Sequence, residues 1–585
     1  MPSTTKLFKV LNGLTAAALL AAACAPAATP TAAPEPTEAP AATEAPAPTE
    51  APAATEAPAA TEAPAATYEG LKVEAESCDY GGEIKSIEAI DESTVKFTLC
   101  YQDPDFLSKI AFTVFAIQDK EYLDANAGDS VAMSEQPNGT GPYMVSEWRR
   151  GEQITFTAFP EYWGDAAKVE TAILRWNADS AAKFLALQSG EVDAVDNPAA
   201  QDIEAALTDP NLQVAGREGL NIFYIGFNNT IAPFDKVEVR QAIALALDRQ
   251  RIVDQYYPDG SEVADQFLPP SFSPGFSTTG DGATWHEQNI DEAKALLAAA
   301  GVAEGTEIEL AYRNVARGYL PEAPPVAQEL QAQLAEIGLT VVLREIESTE
   351  FLDATAAGSV GFYLLGWGAD YPAATNFYNY HLANTQNLQF GEPYQEIFDT
   401  ITAAGQISDP AERQALYDQV ASLIKRDVPL IPVAHGGSAV VYSAAVEGAH
   451  TSPLGNELFY VMDSGKDTLT FVQNGEPAAL WCGDETDGES LRACNQVYDA
   501  LMSYELGGVA VEPGLAESYV ANPEGTEWTF TLRQGVKFHN GADLDANDVV
   551  ATFEAQWNAK SPNHVGREGN FEYWGAFFGA FLNAE

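Results

Sequence analysis

The sequence has 585 residues, a formal net charge of −55 and 46 % hydrophobic residues. At roughly 100–200 residues per domain, this length predicts two to four domains rather than one compact core. The excess of acids argues against nucleic acid and against an anionic membrane surface as partners of the folded part.

The head of the chain has the pattern of a bacterial export signal. Lys6 and Lys9 precede an apolar stretch, residues 10–23, that ends in small residues directly before Cys24. This stretch is too short for a spanning helix. We interpret Cys24 as the lipidated residue of a lipoprotein, although Ala21 stands where such sites usually carry a larger aliphatic residue. The lipid is the only membrane anchor that we expect.

Residues 25–67 form a low-complexity tract of Ala, Pro, Thr and Glu. Glutamate recurs every six residues with no basic residue between, at Glu38, Glu44, Glu50, Glu56 and Glu62. This composition cannot bury enough apolar area to fold, and its prolines favour extended polyproline II. We expect a disordered tether that reaches on the order of 130 Å when fully extended.

Four cysteines remain after Cys24, an even number in an exported chain. Because the members of each pair are close in sequence, we predict disulfides between Cys78 and Cys100 and between Cys482 and Cys494. A zinc site is the weaker interpretation, since the sequence has no CxxC motif.

Strands and helices alternate over the rest of the chain. Helical periodicity predicts helices at residues 239–254, 291–300, 325–337, 410–426 and 547–557. Strand patterns occur at residues 84–90, 94–99, 308–313, 339–346, 362–365, 430–442, 468–472, 526–532 and 536–538. This alternation predicts an α/β fold with sheets flanked by helices.

The stretch FYLLGWGADYP, residues 362–372, is the most informative about a site. A buried strand that ends in a Gly-rich turn presents its last side chains at a sheet edge, where open α/β folds bind ligands. There Trp367 offers a flat apolar face and Asp370 a fixed negative charge, which suits a ligand with a cationic end. The alternative is a core tryptophan and a helix N-cap aspartate.

Other constellations do not lead to a catalytic or metal site. Asp543, Asp545, Asn547 and Glu554 have EF-hand spacing, but Asp548 replaces the glycine of that loop. Capping acids at a helix start explain these residues better. The sequence has no Walker loop, GxSxG or HExxH motif. We therefore expect no catalytic residue, no resident metal and no cofactor.

Several long motifs resemble those of the solute-binding proteins of ABC transporters, family 5, the peptide and nickel class. They are WTFTLRQGVKFHNGADLDANDVVATFE (528–554), GTGPYMVSEW (139–148) with EYWG (161–164), FNNTIAPFDKVEVRQAIALALDRQRIV (227–253) and GWGADYP (366–372). The resemblance covers most of residues 83–585. It implies a two-lobe, periplasmic-binding-protein-like type II α/β fold with hinge strands and an extra subdomain in the first lobe.

This mapping divides the chain after the signal peptide (1–24) and the tether (25–67). The extra subdomain takes residues 83–149 plus 500–585, the first lobe 150–222 plus 436–499, and the second lobe 223–435. Crossings near residues 221–228 and 432–442 are the expected hinge strands.

The order of the motifs differs from that of the family, in which the WTFTLRQGVKFH block lies near the start and precedes GTGPY. Here that block comes last. LGNELFYVM (454–462) looks like the family's usual end and DTLTFVQNGEPAAL (467–480) like its beginning, joined by residues 463–466. The sequence thus looks circularly permuted, and a mis-joined gene model is the alternative.

The resemblance also implies site residues. In peptide-binding relatives the aspartate of the GW-x-x-D motif pairs with the ligand's α-ammonium, which makes Asp370 the expected anchor and Trp367 a cleft residue. Dipeptide-binding members hold the carboxylate with the arginine of an Arg-Pro-Tyr stretch, which Arg317-Gly318-Tyr319 resembles. A surface arginine is the alternative for Arg317. A family loop that faces the cleft corresponds to Thr486, Asp487, Gly488 and Glu489.

The function that the resemblance implies is capture of di- or oligopeptides by lobe closure, with delivery to an ABC permease that has separate ATPase subunits. We expect a monomeric lipoprotein outside the cytoplasm, at the cell surface or in the periplasm, and not an enzyme. Other ligands remain open, namely an oligosaccharide or a metal complex. A receptor as partner and an extracellular hydrolase with paired carboxylates also remain open.

Overall fold

The computed structural model describes residues 68–384 and 387–584. Within them the strands, in chain order, are β1 (Lys72–Glu74), β2 (Ile84–Asp91), β3 (Thr94–Leu99), β4 (Tyr143–Arg149), β5 (Gln153–Ala158), β6 (Thr171–Trp176), β7 (Ala194–Asp196), β8 (Leu212–Arg217), β9 (Asn221–Phe227), β10 (Glu262–Val263), β11 (Thr306–Tyr312), β12 (Leu339–Glu345), β13 (Phe362–Gly368), β14 (Leu430–His435), β15 (Ser438–Ser443), β16 (Thr468–Gln473), β17 (Met502–Tyr504), β18 (Val511–Pro513), β19 (Ala516–Ala521) and β20 (Glu527–Leu532).

Helices alternate with these strands, which confirms the predicted α/β class. They are α1 (Phe106–Ala111), α2 (Lys120–Ala125), α3 (Ser130–Glu135), α4 (Ser180–Gln188), α5 (Ala200–Thr208), α6 (Val237–Ala246), α7 (Arg249–Tyr256), α8 (Ile290–Ala299), α9 (Ala323–Ala335), α10 (Ser348–Ala356), α11 (Ala374–Leu382), α12 (Gln395–Gly405), α13 (Pro410–Asp427), α14 (Gly488–Val497), α15 (Ala546–Trp557) and α16 (Glu572–Phe578).

A seven-stranded sheet, in the order β4-β5-β6-β16-β7-β15-β8, forms what we call the first lobe. Its central strand β16 runs parallel to both β6 and β7. Interior parallel strands are covered on both faces, and Phe471 and Val472, on opposite faces of β16, are both buried. Strand β4 pairs with β5 in this sheet, whereas the division at residue 150 placed it in the extra subdomain.

A six-stranded sheet, in the order β10-β14-β9-β13-β11-β12, forms the second lobe. Its hydrophobic core runs from Leu220 to Ala434 along the chain. Strand β13 is interior, antiparallel to β9 and parallel to β11. That position explains why Phe362, Tyr363 and Leu364 are buried, and it directs the end of β13 toward the site described below.

A five-stranded sheet, in the order β1-β2-β3-β20-β19, forms the extra subdomain. Strand β20 pairs antiparallel with β3, so the sheet combines segments from the beginning and the end of the described chain. Phe97 of β3 packs against Phe530 of β20 and Phe553 of α15, with ring centroids 5.6 and 5.0 Å apart. A separate pair, β17 and β18, completes the strand pairing.

Two short segments cross between the lobes, residues 218–220 after β8 and Gly436–Gly437 after β14. The Asn221 side chain donates to the Gly436 carbonyl (2.7 Å) and accepts from the Gly436 N–H (2.8 Å), which ties the crossings together. A Cβ on Gly436 would lie 2.0 Å from the Gly318 carbonyl oxygen, and one on Gly219 2.6 Å from that of Gly436. Gly219 and Gly436 therefore leave no room for a side chain, because the first crossing contacts the second and the second contacts the turn at Gly318.

The predicted helix over residues 239–254 is wrong at its centre. It breaks at Leu247, whose backbone is extended, and α7 then starts at Arg249. Two contacts of Asp248 stabilise the break. Its side chain accepts a hydrogen bond from the Arg251 N–H at 2.9 Å, and its own N–H donates to Gln333 of α9 at 2.7 Å.

Two strand predictions are also wrong. The predicted strand over residues 430–442 is two strands in different sheets, β14 and β15, separated by the crossing at Gly436–Gly437. Residues 536–538 form no strand, and Lys537 makes only an isolated bridge with Asp543.

Both predicted disulfides are confirmed. Cys78 is joined to Cys100 with a Cα–Cα distance of 5.5 Å, and Cys482 to Cys494 with 6.2 Å. The export signal, Cys24 and the tether lie outside the described residues. Among the helices of the described part, none has both the length and the apolar character needed to span a membrane.

Candidate ligand-binding site

A cavity of about 770 Å³ lies between the two lobes and reaches the extra subdomain. The second lobe contributes the residues after β11 and β13 and the start of α11, the first lobe the end of β8 and the loop before α14, and the subdomain α16. This size is typical of pockets for small molecules. Six of the seven predicted ligand-binding residues line the cavity: Asp370, Trp367, Arg317, Thr486, Asp487 and Gly488.

Asp370 lies just after β13, with its carboxylate half-buried at the cavity wall. Its Oδ1 accepts a 2.7 Å hydrogen bond from the Tyr573 hydroxyl of α16, and its Oδ2 accepts a 2.9 Å bond from Asn376 Nδ2. Helix α11 begins at Ala374, and its cap residue Ala373 makes no side-chain cap bond. The helix-cap alternative for Asp370 is therefore wrong.

Asn376, in the first turn of α11, holds the two predicted site residues together. Its Oδ1 accepts from Trp367 Nε1 (3.2 Å) and from the Asp370 backbone N–H (3.1 Å), while its Nδ2 donates to the Asp370 carboxylate. One buried amide thus fixes the indole relative to the acid.

The electrostatic state of Asp370 suits a cationic guest. Burial raises the pKa of Asp370 to about 6, the hydrogen bonds from Asn376 and Tyr573 lower it in part, and the nearby Glu572 carboxylate raises it. No lysine or arginine among the described residues contributes to this shift. A half-buried carboxylate in this situation is stabilised by an arriving cation.

Aromatic side chains form the wall beside Asp370. The Trp367 ring stacks on Tyr380 with centroids 4.5 Å apart, and the edge of His381 meets Trp367 at 4.9 Å. Burial lowers the pKa of His381 to about 3, so this histidine is neutral at physiological pH. The wall is thus uncharged and offers ring faces to the body of a ligand.

Arg217, at the end of β8, lines the cavity but is already paired. It forms ion pairs with Asp196 (2.8 Å) and Glu457, and Arg492 contacts the same two acids at 3.0 Å each. The buried network balances two guanidiniums with two carboxylates. Arg217 therefore adds little net charge to the cavity.

Arg313 and Arg317, by contrast, form no ion pair within residues 68–384 and 387–584. Arg313 is half-buried and donates to Ser348 Oγ (3.0 Å) and to the Tyr319 hydroxyl (2.9 Å). Arg317 is exposed, and its backbone pairs with that of Leu320 in a tight turn. Both line the cavity, so an anionic group of a ligand would meet two unpaired guanidiniums.

The loop before α14 reaches the cavity only in part. Thr486, Asp487 and Gly488 line it, and the Asp487 carboxylate also caps α14 by accepting from a backbone N–H at 2.8 Å. Glu489 is not a lining residue, and its side chain lies beside Gly475. Of the four predicted loop residues, Glu489 is therefore the one that does not line the cavity.

Sequence reasoning missed Asn376, Tyr573 and Arg313. Asn376 lies beyond the GWGADYP motif, and only its place in the first turn of the next helix could have suggested it. Tyr573 is 203 residues from Asp370 along the chain, and no local pattern connects them. Arg313 directly follows β11, which is parallel to β12 and β13. Ligands of open α/β sheets bind at the carboxyl ends of parallel strands, so its position at the end of a predicted strand could have suggested it.

Another acidic group lies in the extra subdomain. Asp119, Glu121 and Asp548 bring their carboxylates within 4.8 Å of one another. Asp548 forms the capping box of α15 with Asp545, and Asp119 accepts from two asparagine side chains. The capping interpretation is confirmed for Asp545 and Asp548, whereas Asp543 pairs with Lys537. In the cluster, hydrogen bonds within the protein account for the carboxylates of Asp119 and Asp548.

The structure has two lobes joined by two crossings. An acid without a cation partner among the described residues lies on the wall of the cavity between the lobes. This arrangement is that of a two-lobe solute-binding protein. The chain belongs to the bacterial extracellular solute-binding proteins, family 5, whose model matches residues 29–389 and 510–570. The predicted family resemblance and fold class are confirmed. Members of this family bind solutes for transport and are not enzymes.

Similar proteins include peptide binders. The chain is 34 % identical over 388 residues to the dipeptide-binding protein of Pseudomonas aeruginosa, covering 64 % of this chain and 71 % of that protein. Two solved structures are also similar, and each match covers 64 % of this chain and 74 % of the other. They are HbpA2 from Haemophilus parasuis (31 % identity, TM-score 0.56) and the dipeptide-binding protein of Pseudoalteromonas sp. SM9913 in complex with Met-Leu (28 % identity, TM-score 0.58).

Proposed function

We propose that this protein captures small peptides outside the cytoplasm and delivers them to an ABC transporter permease. The observation that carries the proposal is the half-buried Asp370 carboxylate, which faces the inter-lobe cavity without a cation partner among the described residues. A peptide's α-ammonium supplies the missing charge. The similarity to dipeptide-binding proteins supports the same ligand class.

In this proposal the other end of the peptide lies near Arg317. Its exposed guanidinium has no acidic partner within the described residues and presents a planar fork of donors that matches a carboxylate. Trp367 and Tyr380 would pack along the peptide body. The ligand is then held by an acid at one end, a guanidinium at the other and ring faces between.

Lobe closure over the ligand is the second part of the proposal. The second lobe contacts the extra subdomain through Arg413 of α13, whose Nη1 donates to Asp105 Oδ1 at 2.9 Å, and both side chains are buried. Thr375 of α11 donates to the same aspartate at 2.6 Å. Together with the Tyr573 to Asp370 bond, these contacts form a latch that would fasten the closed state.

The oligomeric state, the membrane anchor, the division into lobes and the transporter partner are also part of the proposal. We infer a monomer anchored by lipid on Cys24, a tether over residues 25–67, and the lobe division given above with β4 added to the first lobe. Delivery requires a permease with separate ATPase subunits, to which the closed protein would dock. No enzymatic activity is part of this function.

Mass spectrometry of the ligand released from purified, denatured protein tests the proposal. Peptides of two to a few residues are expected in the released fraction. A sugar or a metal complex would overturn the peptide assignment. Incubation with Ala-Ala and Ala-Ala-Ala should leave both peptides intact, whereas cleavage would favour the hydrolase.

We also propose that the motif order is a circular permutation. The family model matches two separate blocks, and the later block contains the WTFTLRQGVKFH motif. The joining segment is tied into the first lobe, since Lys466 pairs with Asp193 at 2.8 Å. Mass mapping of the native protein should find a peptide that spans residues 463–466. If the flanking segments occur only in different proteins, the gene model was mis-joined.

A further inference from the structure

Arg313 occupies a distinct position on the second-lobe wall of the cavity. It directly follows β11, and the parallel pairing of Ala311 with Tyr363 places it level with Leu365 of β13. Its two guanidinium bonds go to neutral hydroxyl groups, Ser348 Oγ and the Tyr319 hydroxyl. These bonds fix the orientation of the guanidinium, and no acid among the described residues pairs with its charge.

Most arginines in the described part of the chain form an ion pair with an acid, and the buried Arg240, which has none, instead donates to three main-chain carbonyl oxygens. Even the exposed Arg344, on the neighbouring strand β12, pairs with Glu309 at 2.9 Å. Placing a charge in a half-buried position without a counter-ion is unfavourable. The arrangement is explained if a ligand supplies the anion.

Tyr319 links Arg313 to the rest of the site. Its hydroxyl accepts from Arg313 and therefore retains a proton that it can donate to an acceptor on a ligand. Its ring packs over Gly366, where a Cβ would lie 2.2 Å from the ring. Arg313 and the Tyr319 hydroxyl thus form one donor group on the cavity wall, and Tyr319 belongs to the same tight turn as Arg317.

We propose that Arg313 recognises a second carboxylate of the ligand, the acidic side chain of its last residue, so that peptides ending in Glu or Asp are preferred. This inference rests on the proposed function, in which Arg317 takes the α-carboxylate. Arg313 and Arg317 both line the cavity, so each could take one of the two carboxylates of such a terminal residue. The guanidinium fork and the Tyr319 hydroxyl together offer at least two donors to one carboxylate.

Isothermal titration calorimetry with four peptides tests the inference: Ala-Glu, Ala-Gln, Ala-Ala-Glu and Ala-Ala-Gln. Glu and Gln have similar shape and differ in charge, so their affinity ratio reports on the side-chain carboxylate alone. We expect the Glu peptide to bind about tenfold more tightly than its Gln partner, as hydrogen bonds to a charged group imply. Arg313→Met should reduce this ratio to about one.

Arg344→Met is the matched control, because it removes an arginine on the adjacent strand whose partner is a surface acid. It should keep the wild-type ratio. Arg313→Gln provides a second variant, which retains a hydrogen-bonding group if the methionine variant does not fold.

Two results would overturn the inference while leaving the proposed function intact. One is an equal affinity of the wild type for Glu and Gln peptides. The other is a loss in Arg313→Met that is equal for both, which would assign Arg313 to the main-chain carboxylate. Failure of all four peptides to bind would reject both proposals together.

Discussion

The hydroxyl of Tyr573 donates a 2.7 Å hydrogen bond to Oδ1 of Asp370, and the two residues belong to the extra subdomain and the second lobe. The acid that we propose as the ammonium anchor is therefore also a contact across the cavity. In the proposed function, the Asp370 carboxylate both binds the ligand and holds the second lobe to the extra subdomain. A change at Asp370 should alter both.

Asp370→Asn should weaken binding of Ala-Ala or Ala-Ala-Ala by about 2–5 kcal/mol, because the amide keeps the shape of the side chain and removes the charge. Isothermal titration calorimetry measures the loss. Asp353→Asn, at an exposed acid that lines the same cavity, is the control and should bind normally. Equal affinities of Asp370→Asn and wild type would refute the ammonium role.

Peptide affinity should fall as pH drops through about 6. Burial raises the pKa of Asp370 to about 6, so the acid becomes neutral below that value and no longer attracts the ammonium. Titrations between pH 5 and 8 would show the decline, and Asp370→Asn should lack it.

The stability of the ligand-free protein should change with pH in the opposite direction at this residue. A carboxyl whose pKa is higher in the folded than in the unfolded state binds extra protons on folding, so its contribution grows as pH falls toward 5. The difference in unfolding free energy between wild type and Asp370→Asn, from urea titrations, isolates this contribution. A difference that does not vary between pH 5 and 8 would contradict it.

Asn376→Leu should weaken peptide binding. It should also raise the pH midpoint, at which half of the peptide affinity is lost. The asparagine donates to the Asp370 carboxylate and lowers its pKa, and it also accepts from Trp367. Loss of these bonds is expected to cost about 1–3 kcal/mol. The control Asn379→Leu changes another lining residue of α11, and its midpoint should match the wild type. An unmoved midpoint in Asn376→Leu would leave Asn376 with a packing role only.

Asp105→Ala should speed peptide release. It leaves the Arg413 guanidinium buried without its acid, which is expected to destabilise the contact between second lobe and subdomain by on the order of 3 kcal/mol. Stopped-flow displacement measures the release rate. Glu396→Ala breaks an exposed ion pair with Arg426 at the end of the same helix, and release should be unchanged. If both variants release peptide at the wild-type rate, the latch is not part of closure.

Gly436→Ala should destabilise the protein by about 1–3 kcal/mol, since its Cβ would lie 2.0 Å from the Gly318 carbonyl oxygen. Thermal unfolding measures the effect. Gly216→Ala, in strand β8 just before the first crossing, is the control, because a Cβ there meets nothing within 4 Å. Equal melting temperatures for the two variants would show that the second crossing and the turn at Gly318 can move apart without loss of stability.

The sequence predicted the parts of this molecule that depend on local pattern. The strand at Phe362, the capping acids of α15 and both disulfide pairs follow from periodicity, capping chemistry and spacing. The break at Asp248 did not, because Gln333 of another helix helps to fix it by accepting the Asp248 N–H at 2.7 Å. Contacts of this tertiary kind leave no trace in nearby residues.

The site shows the same limit. Asp370 and Trp367 stood out because a motif placed them at the end of a strand. Tyr573 and Arg313 matter only through distant partners, and residue order gives no measure of that proximity. Glu489 was predicted from its place in the same loop as Asp487, but it does not line the cavity.

The pairing of β3 with β20 has a consequence for biogenesis. Residues 94–98 find their partners only at residues 527–531, so the extra subdomain cannot assemble until nearly the whole chain up to residue 531 has been made. Until then the early hairpin of β2 and β3 leaves Ile87, Val95 and Phe97 without the cover that they have in the native fold. A chaperone that holds this hairpin during synthesis would prevent premature association between nascent chains.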